Sequence, residues 1–410
     1  MRYREVGRTG VRVSEVGFGG EWIPKDDPAA TRALFDRCEA AGVNLLDCWM
    51  ADPTMRSAIG TALATEPGRV GRWVIQGHIG STWQDGQYRR SRDLRLVRPA
   101  FEDLLVRLGA TRVEFGMLHF VDTLDDLAVV LGDKPASEAA DPTLAGESGD
   151  GSLLAYARGL QAEGIVGHIG LSTHNPEVAQ AAAESGAVEL VMFSCNPAFD
   201  MLEGGVPIDR LFKEETFADG GAAAARTGGV SPVRTRLYAT CEERGVGLTV
   251  MKPYEGGRLL GAESSPFGVA LTPVQCLHYA LARPAVASVL PGFASVEQAD
   301  AALAYENAGP DERDYASVLA RAPRNAFASG RCTYCGHCAP CPACIDVALV
   351  QKYADLARMQ PEVPASVADH YRALGAHASD CLSCGACESR CPFGVPVVER
   401  MVQAAELFGE

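Results

Sequence analysis

Two runs of closely spaced cysteines near the C-terminus constrain the fold more than any other feature of the sequence. The run from Cys381 to Pro392 has the spacing C-x2-C-x2-C-x3-C-P, and the run from Cys332 to Pro342 is one residue shorter in its last gap. In bacterial ferredoxins this spacing holds 4Fe–4S clusters, with three close cysteines on one cluster and the fourth on the other. The sequence therefore predicts two 4Fe–4S clusters in one small domain.

Each predicted cluster takes three cysteines from one run and the remote cysteine of the other run. The first cluster is assigned to Cys332, Cys335, Cys338 and Cys391. The second cluster is assigned to Cys381, Cys384, Cys387 and Cys341. Cys344 is left over, and we expect it to pack beside a cluster. Zinc sites use paired knuckles separated by a spacer, and disulfides need an oxidising compartment, so both alternatives are disfavoured.

Composition and charge exclude two classes of partner. The 410 residues are 47% hydrophobic and 22% charged, which is usual for a soluble globular protein. No stretch approaches the roughly 18 apolar residues of a membrane span, and the N-terminus lacks the pattern of a signal peptide. The formal net charge of −15 argues against a nucleic-acid partner, which would need a basic patch. We expect a cytoplasmic protein with no membrane and no nucleic-acid partner.

Upstream of the cysteines, the chain alternates between strand-like and helix-like segments. The eight predicted strands are residues 13–20, 43–49, 73–80, 113–121, 166–174, 188–197, 246–254 and 286–293. Strands that alternate with helices form parallel sheets, and eight such units suit a closed barrel. The predicted fold class is therefore α/β, a (β/α)8 TIM barrel followed by a helical ferredoxin-like domain. A doubly wound open sheet is the alternative, but no strand is followed by G-x-G-x-x-G.

The predicted domains follow from this pattern. Residues 1–308 form the barrel, with insertions near residues 122–151 and 198–230, and residues 309–327 form a linker helix. Residues 328–410 form the dicluster domain. Both insertions follow a predicted strand, so both should lie over the C-terminal mouth of the barrel, where active sites are found. Each insertion is interpreted either as a lid over the site or as a mobile surface loop.

Several segments together carry a family resemblance. They are residues 42–47 with 59–60, 117–119, 167–175, 251–260 and 288–292 of the barrel, and residues 378–392 around the second cysteine run. In these segments the chain resembles the aldo-keto reductases, specifically the subgroup with a C-terminal dicluster ferredoxin domain. The resemblance covers essentially the whole chain and implies an oxidoreductase. That family transfers hydride from NAD(P)H to a carbonyl, and a tyrosine donates the proton beside an aspartate, a lysine and a histidine.

The resemblance transfers only part of this catalytic set. Asp47 and His119 match the aspartate and the histidine, whereas Asp52 stands at the tyrosine position. His78 stands at the lysine position. Asp47 beside His78 would form a carboxylate–imidazole pair that fixes the imidazole tautomer and makes His78 a candidate general acid. His119 and Asp52 are further candidates for acid–base catalysis.

The nicotinamide site that the family implies is altered as well. Ser172 and Asn196 match cofactor-binding residues, and Lys252 is expected at the same opening. Met192, Met251, Gly292 and Gln298 replace a glutamine, a ring-stacking tyrosine and two basic residues that bind the 2′-phosphate. A phosphate site without basic residues loses its charge-assisted hydrogen bonds. NAD(P)H binding is therefore doubtful, and a flavin is an alternative redox cofactor.

Four functions are compatible with these residues. The first is reduction of a small polar substrate at the barrel mouth. Its electrons would pass from a ferredoxin or similar donor through the two 4Fe–4S clusters, and histidine or aspartate would transfer protons. The second is an NAD(P)H-dependent reductase with a variant catalytic tetrad. The third is a redox-neutral dehydratase or epimerase with structural clusters, and the fourth is a non-catalytic electron-transfer protein. The loss of nicotinamide contacts favours the first.

Overall fold

An antiparallel hairpin opens the chain and contributes to the barrel interior. The structure, a computed structural model, describes residues 1–146, 151–202, 230–320, 332, 338–358, 362–363, 365–391 and 394–409. Strands β1 (Tyr3–Glu5) and β2 (Arg12–Ser14) pair in the hairpin. Val6 and Val13 belong to the same buried apolar cluster as Leu45, so the hairpin adds to the core of the barrel.

Eight parallel strands form one sheet, and their spatial order follows their order in the chain. They are β3 (Phe18–Gly19), β4 (Leu45–Cys48), β5 (Val74–Ile79), β8 (Val113–Leu118), β9 (Val166–Thr173), β10 (Leu190–Ser194), β11 (Gly247–Met251) and β12 (Val286–Val289). Parallel bridges join Val16 to Val289 and Gly19 to Gly292, and the Gly17 amide donates to the Val289 carbonyl at 2.8 Å. The sheet closes on itself, which confirms the predicted barrel.

Helices cover the outside of this sheet. They are α1 (Pro28–Ala40), α2 (Pro53–Leu63), α3 (Leu94–Leu108), α4 (Leu124–Leu131), α5 (Leu153–Ala162), α6 (Pro176–Ser185), α7 (Pro197–Asp200), α8 (Pro232–Arg244), α9 (Pro273–Leu281) and α10 (Val296–Leu303). The strands are buried on both faces, as expected for a parallel sheet between a core and a helical layer. Several helices start with a capping residue followed by proline, as in Asp27-Pro28 and Asn175-Pro176. Proline suits this first helical position because its missing N–H would have no helical partner.

An additional β-hairpin, absent from the sequence prediction, follows β5. Strands β6 (Ser81–Gln84) and β7 (Gln87–Arg90) pair antiparallel through the two-residue turn Asp85-Gly86. Both turn residues have positive φ, 51° for Asp85 and 75° for Gly86. Asp-Gly is a preferred sequence for such a turn because glycine accepts positive φ without a steric cost. The hairpin extends the end of β5 at the barrel mouth.

The first predicted insertion contains regular structure over its described part. Thr123 caps helix α4, and a 3-10 turn follows at Ala136–Glu138. Asp126 of α4 accepts two hydrogen bonds from the buried Arg92, at 2.6 and 2.8 Å, which tie the insertion to the barrel. Residues 203–229 of the second insertion lie outside the described residues. The lid interpretation of both insertions stays a prediction.

The C-terminal domain is helical, as predicted. Helices α11 (Pro310–Arg313) and α12 (Tyr315–Ala320) lead towards it, and α13 (Val347–Arg358), α14 (Ala365–Arg372), α15 (Ala386–Arg390) and α16 (Val397–Phe408) follow. Its apolar core includes Val350, Tyr371 and Met401, and it also takes in Phe199 and Leu202 from the barrel. The two domains therefore share one hydrophobic cluster. Among the described residues, none of the helices has the length and apolar character needed to cross a bilayer.

Candidate active site at the barrel mouth and a cysteine-lined cavity

Three residues predicted to be catalytic meet where neighbouring strands end. Asp47 lies in β4, His78 lies in β5 and His119 directly follows β8. The carboxyl ends of parallel strands share one edge of the barrel, which brings the side chains together. His78 Nε2 lies 3.0 Å from Asp47 Oδ1, and His78 Nδ1 lies 2.8 Å from His119 Nδ1. All three side chains are buried.

A tyrosine that the sequence analysis missed extends this chain of hydrogen bonds. The hydroxyl of Tyr88, on strand β7, lies 2.6 Å from His119 Nε2. Trp49 stacks on the His119 ring, with the ring centroids 5.8 Å apart and the ring planes at 9°. It meets the Tyr88 ring edge-on, with the centroids 5.2 Å apart. Tyr88 is partly exposed, whereas the other three members are buried. Four side chains thus form one path, which we call the Tyr88–Asp47 relay, from the mouth to a buried carboxylate.

The hydrogen-bond capacities of the groups fix the direction of the relay. A carboxylate only accepts hydrogen bonds, so His78 Nε2–H donates to Asp47, and with a neutral His78 ring Nδ1 then accepts from His119 Nδ1–H. His119 Nε2 in turn accepts from the Tyr88 hydroxyl. Burial and the nearby His78 and arginines hold the pKa of His119 well below its usual value of 6.5, so its ring is neutral at pH 7. Gln76 Nε2 also donates to Asp47 Oδ1, at 2.9 Å.

A second carboxylate–imidazole pair lies close to the relay. His174 Nδ1 lies 3.0 Å from Asp122 Oδ2, and the His174 amide donates to Asp122 Oδ1 at 2.7 Å. Phe120 separates this pair from the relay, with its ring 4.9 Å from that of His174 and 6.0 Å from that of His119. Burial and Lys252 lower the pKa of His174. Both imidazoles near Phe120 are therefore held towards their neutral forms.

Glu21 is a further ionisable residue at the mouth that sequence reasoning missed. It is partly exposed in the 3-10 turn Gly20–Trp22, just after β3. Burial raises the pKa of its carboxyl to about 7, against opposing contributions from Lys252 and from a hydrogen bond with Trp49. Nothing in the sequence around Glu21 signals this environment, because Lys252 and Trp49 come from distant strands.

Three other predicted site residues make local structural contacts. Asp52 is the N-cap of α2, where Oδ1 accepts from the Thr54 amide at 2.8 Å, and Oδ2 pairs with Lys25 at 2.7 Å. Asn196 is the N-cap of α7, and its Nδ2 donates to the Lys252 carbonyl at 3.0 Å. Ser172 Oγ accepts from the Phe120 amide at 2.8 Å. The structure does not join Asp52 to the relay.

Gly292, one of the two positions that the resemblance relates to a 2′-phosphate site, lies against the indole ring of Trp22. A Cβ atom added at Gly292 would lie 2.3 Å from Cδ1 of Trp22, so no larger side chain fits there unless Trp22 moves. Gln298 Oε1 accepts from the Ala294 amide at 2.8 Å, within the same helix start. Neither of these two positions carries a basic side chain, and Gly292 lies against Trp22.

Four cysteines line one apolar cavity in the C-terminal domain. They are Cys341, Cys381, Cys384 and Cys387, the set predicted for the second cluster. Ile345, Val347 and Met401 complete much of the lining. Thiolates in an apolar shell are the donor set that iron–sulfur clusters use, so these residues fit a 4Fe–4S cluster. The assignment of each ligand stays a prediction.

The cysteines predicted for the first cluster are described only in part. Cys391 is buried in the apolar core of this domain, and Cys332 and Cys338 pack against that core. Cys335 lies outside the described residues. Arg390 Nη2 donates to the carbonyls of Cys338 and Pro340, at 2.6 and 2.5 Å, and so fixes the loop between the two cysteine sets.

Comparison with known proteins agrees with this division of the chain. Residues 328–395 match the 4Fe-4S dicluster domain family, Fer4_8. The chain therefore joins a barrel to a C-terminal 4Fe–4S dicluster domain. No curated protein shows significant sequence similarity to the chain.

Solved structures identify the fold of the barrel. The aldo-keto reductase AKR11C1 from Bacillus halodurans, in its holo form, is 20% identical; the match covers 80% of this chain and 98% of that one, with a TM-score of 0.55. PA4992 from Pseudomonas aeruginosa, a putative aldo-keto reductase, is 19% identical over 74% of this chain and 95% of its own, with a TM-score of 0.49. The barrel thus has the aldo-keto reductase fold that the sequence predicted.

Proposed function

We propose that the protein is an iron–sulfur oxidoreductase that reduces a small polar substrate at the barrel mouth. In this proposal Tyr88 donates the proton, His78 and His119 return a proton to it, and the Asp47 carboxylate holds the His78 ring through a hydrogen bond. The observation that carries the proposal is the unbroken line of hydrogen bonds from Tyr88 to Asp47, at 2.6, 2.8 and 3.0 Å. Its only partly exposed member is Tyr88, so the substrate meets the relay there.

The relay transfers a proton outwards only when it carries one extra proton. In the resting arrangement every bond points towards Asp47, and burial raises the pKa of Tyr88, so an isolated tyrosinate is disfavoured. With one more proton on His78, its Nε2–H still donates to Asp47, but its Nδ1–H now donates to His119 Nδ1, and His119 Nε2–H donates to the Tyr88 oxygen. The Tyr88 hydroxyl is then free to donate to the substrate. As Tyr88 gives up its proton it receives one from His119, which receives one from His78. The relay then returns to its resting arrangement, with Asp47 still a carboxylate.

The reaction we assign is a two-electron reduction, written for a carbonyl as R2C=O + 2 e⁻ + 2 H⁺ → R2CHOH. The two electrons come from two molecules of a reduced, ferredoxin-like, one-electron donor protein, both of which are oxidised. Clusters held by the predicted cysteines would supply these electrons one at a time. The relay supplies one proton, and water at the mouth supplies the other. A reductive loss of hydroxyl has the same balance of electrons and protons.

The geometry near Gly292 disfavours the alternative in which NAD(P)H is the reductant. Trp22 covers Gly292, and no cation stands at either predicted phosphate position. The side-chain oxygen of Asn196 accepts hydrogen bonds from the amides of Ala198 and Phe199, at 3.0 and 2.9 Å. These contacts leave the polar groups of the family's nicotinamide site largely engaged within the protein.

Two measurements on anaerobically prepared protein test the proposal. The first is calorimetric titration of NADPH and then NADH, for which we expect no binding. In the second, the protein is reduced with dithionite, excess reductant is removed, and small carbonyl and hydroxyl compounds are added singly. We expect one class of compound to reoxidise the protein with formation of the reduced product. Micromolar binding of NADPH with hydride transfer would overturn the proposal in favour of the nicotinamide-dependent reductase.

A further inference from the structure

The hairpin that carries Tyr88 also contacts the loop of a predicted cluster ligand. Gln87 Oε1 accepts from the Cys341 amide at 2.5 Å, and Gln87 Nε2 donates to the Cys341 carbonyl at 2.8 Å. Nε2 also lies 3.3 Å from Cys344 Sγ. The side-chain amide of Gln87 therefore bonds both the N–H and the carbonyl of Cys341, as the backbone of a neighbouring strand would.

Gln87 and Tyr88 are consecutive residues of strand β7. Successive side chains of a strand point to opposite faces, so one residue reaches the cysteine loop while the next reaches His119. The hairpin that carries both residues has little freedom, because Thr82 Oγ1 donates to the Arg89 carbonyl at 2.7 Å and its two strands are paired throughout. A displacement of the Cys341 loop would therefore be passed to the Tyr88 hydroxyl.

We propose that Gln87 is a positioning residue that links the Cys341 loop to the proton-donating end of the relay. The inference rests on the proposed function and adds a specific joint between the electron-carrying and proton-carrying parts of the protein. A cluster held by Cys341 and the three other cysteines of the cavity would then be the one that supplies electrons beside the barrel mouth. Residues that orient a metal ligand through hydrogen bonds typically cost 10–100-fold in activity or metal affinity when changed, about the effect expected here.

Two substitutions separate the parts of this contact. Gln87→Ala removes all three interactions. Gln87→Glu keeps the shape and one oxygen that accepts from the Cys341 amide, but a carboxylate cannot donate to the Cys341 carbonyl or to Cys344. Gln84→Ala is the matched control, since Gln84 lies opposite Gln87 in the same hairpin and its Nε2 donates only locally, to Thr82 at 2.8 Å. Iron content is measured for each variant of the holoprotein.

The first readout does not depend on activity. Hydrogen exchange of the peptide that contains Cys341 should become faster in Gln87→Ala, remain slow in Gln87→Glu and be unchanged in Gln84→Ala. In redox titrations followed by electron paramagnetic resonance, both Gln87 variants should shift the midpoint potential of one cluster and leave the midpoint potential of the other cluster unchanged. Equal behaviour of Gln87→Ala and Gln84→Ala in both experiments would overturn the inference.

Turnover distinguishes this inference from the proposed function. If the parent protein reduces a substrate, Gln87→Ala should lower kcat by about 10–100-fold with a smaller effect on KM, because it disturbs the donor rather than binding. Retention of full kcat in an iron-replete Gln87→Ala variant would refute the joint while leaving the reductase proposal intact. If the parent protein reduces nothing but the exchange and potential shifts occur, the reductase proposal fails and the structural joint stands.

Discussion

Replacement of Tyr88 by phenylalanine is the most direct test of the relay, because it removes one oxygen atom and keeps the ring. The Tyr88 hydroxyl donates to His119 Nε2 at 2.6 Å. His119 is only 3% exposed, so its Nε2 would lose a hydrogen-bond donor that water replaces poorly. An unsatisfied buried acceptor costs about 1–3 kcal/mol, and partial exposure of the Tyr88 side puts the expected loss in unfolding free energy at about 1–2 kcal/mol.

The same substitution should affect catalysis far more than stability. A positioned general acid contributes about 10²–10⁴-fold to a rate, so we expect kcat to fall by that factor. In the variant Trp49 can still meet the ring at position 88 edge-on and stack on the His119 ring, which preserves the walls of the mouth. KM should therefore change little. The solvent isotope effect on kcat should rise if water replaces the phenol as the donor, because proton transfer then limits the rate.

Tyr3→Phe provides a control that loses a hydrogen bond of the same length. The Tyr3 hydroxyl donates to the Gly42 carbonyl at 2.6 Å, but Tyr3 is 39% exposed, so water can replace it. We expect this control to cost less than about 1 kcal/mol and to leave kcat unchanged. Anaerobic urea unfolding followed by circular dichroism gives the stabilities. If Tyr88→Phe matched Tyr3→Phe in both stability and kcat, the relay argument would be refuted.

Three further predictions concern stability and cluster binding. The folded protein holds the pKa of His119 well below 6.5, so below that pH the unfolded chain binds more protons than the folded one. The free energy of unfolding should therefore fall by up to about 1.4 kcal/mol for each pH unit below 6.5. In urea titrations at several pH values, His119→Gln should flatten that slope. Gly60→Ala should cost about 3 kcal/mol, since its Cβ would lie 1.8 Å from the Arg107 carbonyl oxygen; an unchanged thermal midpoint would contradict the packing. Cys381→Ser should lose about four irons per chain, whereas Cys344→Ser should lose none, as measured by iron analysis.

The resemblance to the aldo-keto reductases predicted the three buried residues of the relay, and the order of the strands explains why they meet. Asp47, His78 and His119 end three adjacent strands, and the apolar pattern located each strand to within a few residues. Tyr88 was missed because the hairpin that carries it interrupts the strand–helix alternation. A signal was present in the Asp85-Gly86 pair, which favours a two-residue turn between strands. The Asp85-Gly86 pair therefore predicts a hairpin after β5, but it does not predict the contact of that hairpin with His119.

Two residues that the resemblance predicts to be functional also have a local structural role. Asp52 and Asn196 each precede a proline that begins a helix, and each caps that helix with its side-chain oxygen. Asp or Asn before proline is a strong helix-start signal in its own right. The capping contacts explain why Asp52 lies apart from His78 in the hydrogen-bond network. Whether Asp52 also contacts a substrate stays a prediction.

The shape of the relay bears on the kind of chemistry that it can support. A hydride donor needs one proton per carbonyl reduced, since the hydride already carries the other hydrogen. A one-electron donor needs two protons for the same product. Because the relay ends at a buried carboxylate, in our proposal it would release one proton and then take up another through the mouth. Tyr88 is partly exposed on a hairpin that Gln87 anchors to the Cys341 loop, and in our proposal both proton uptake and reduction would take place there. The contact between the proposed proton donor's hairpin and a predicted cluster ligand, together with Trp22 beside the predicted phosphate position, supports our proposal of stepwise electron and proton delivery over hydride transfer.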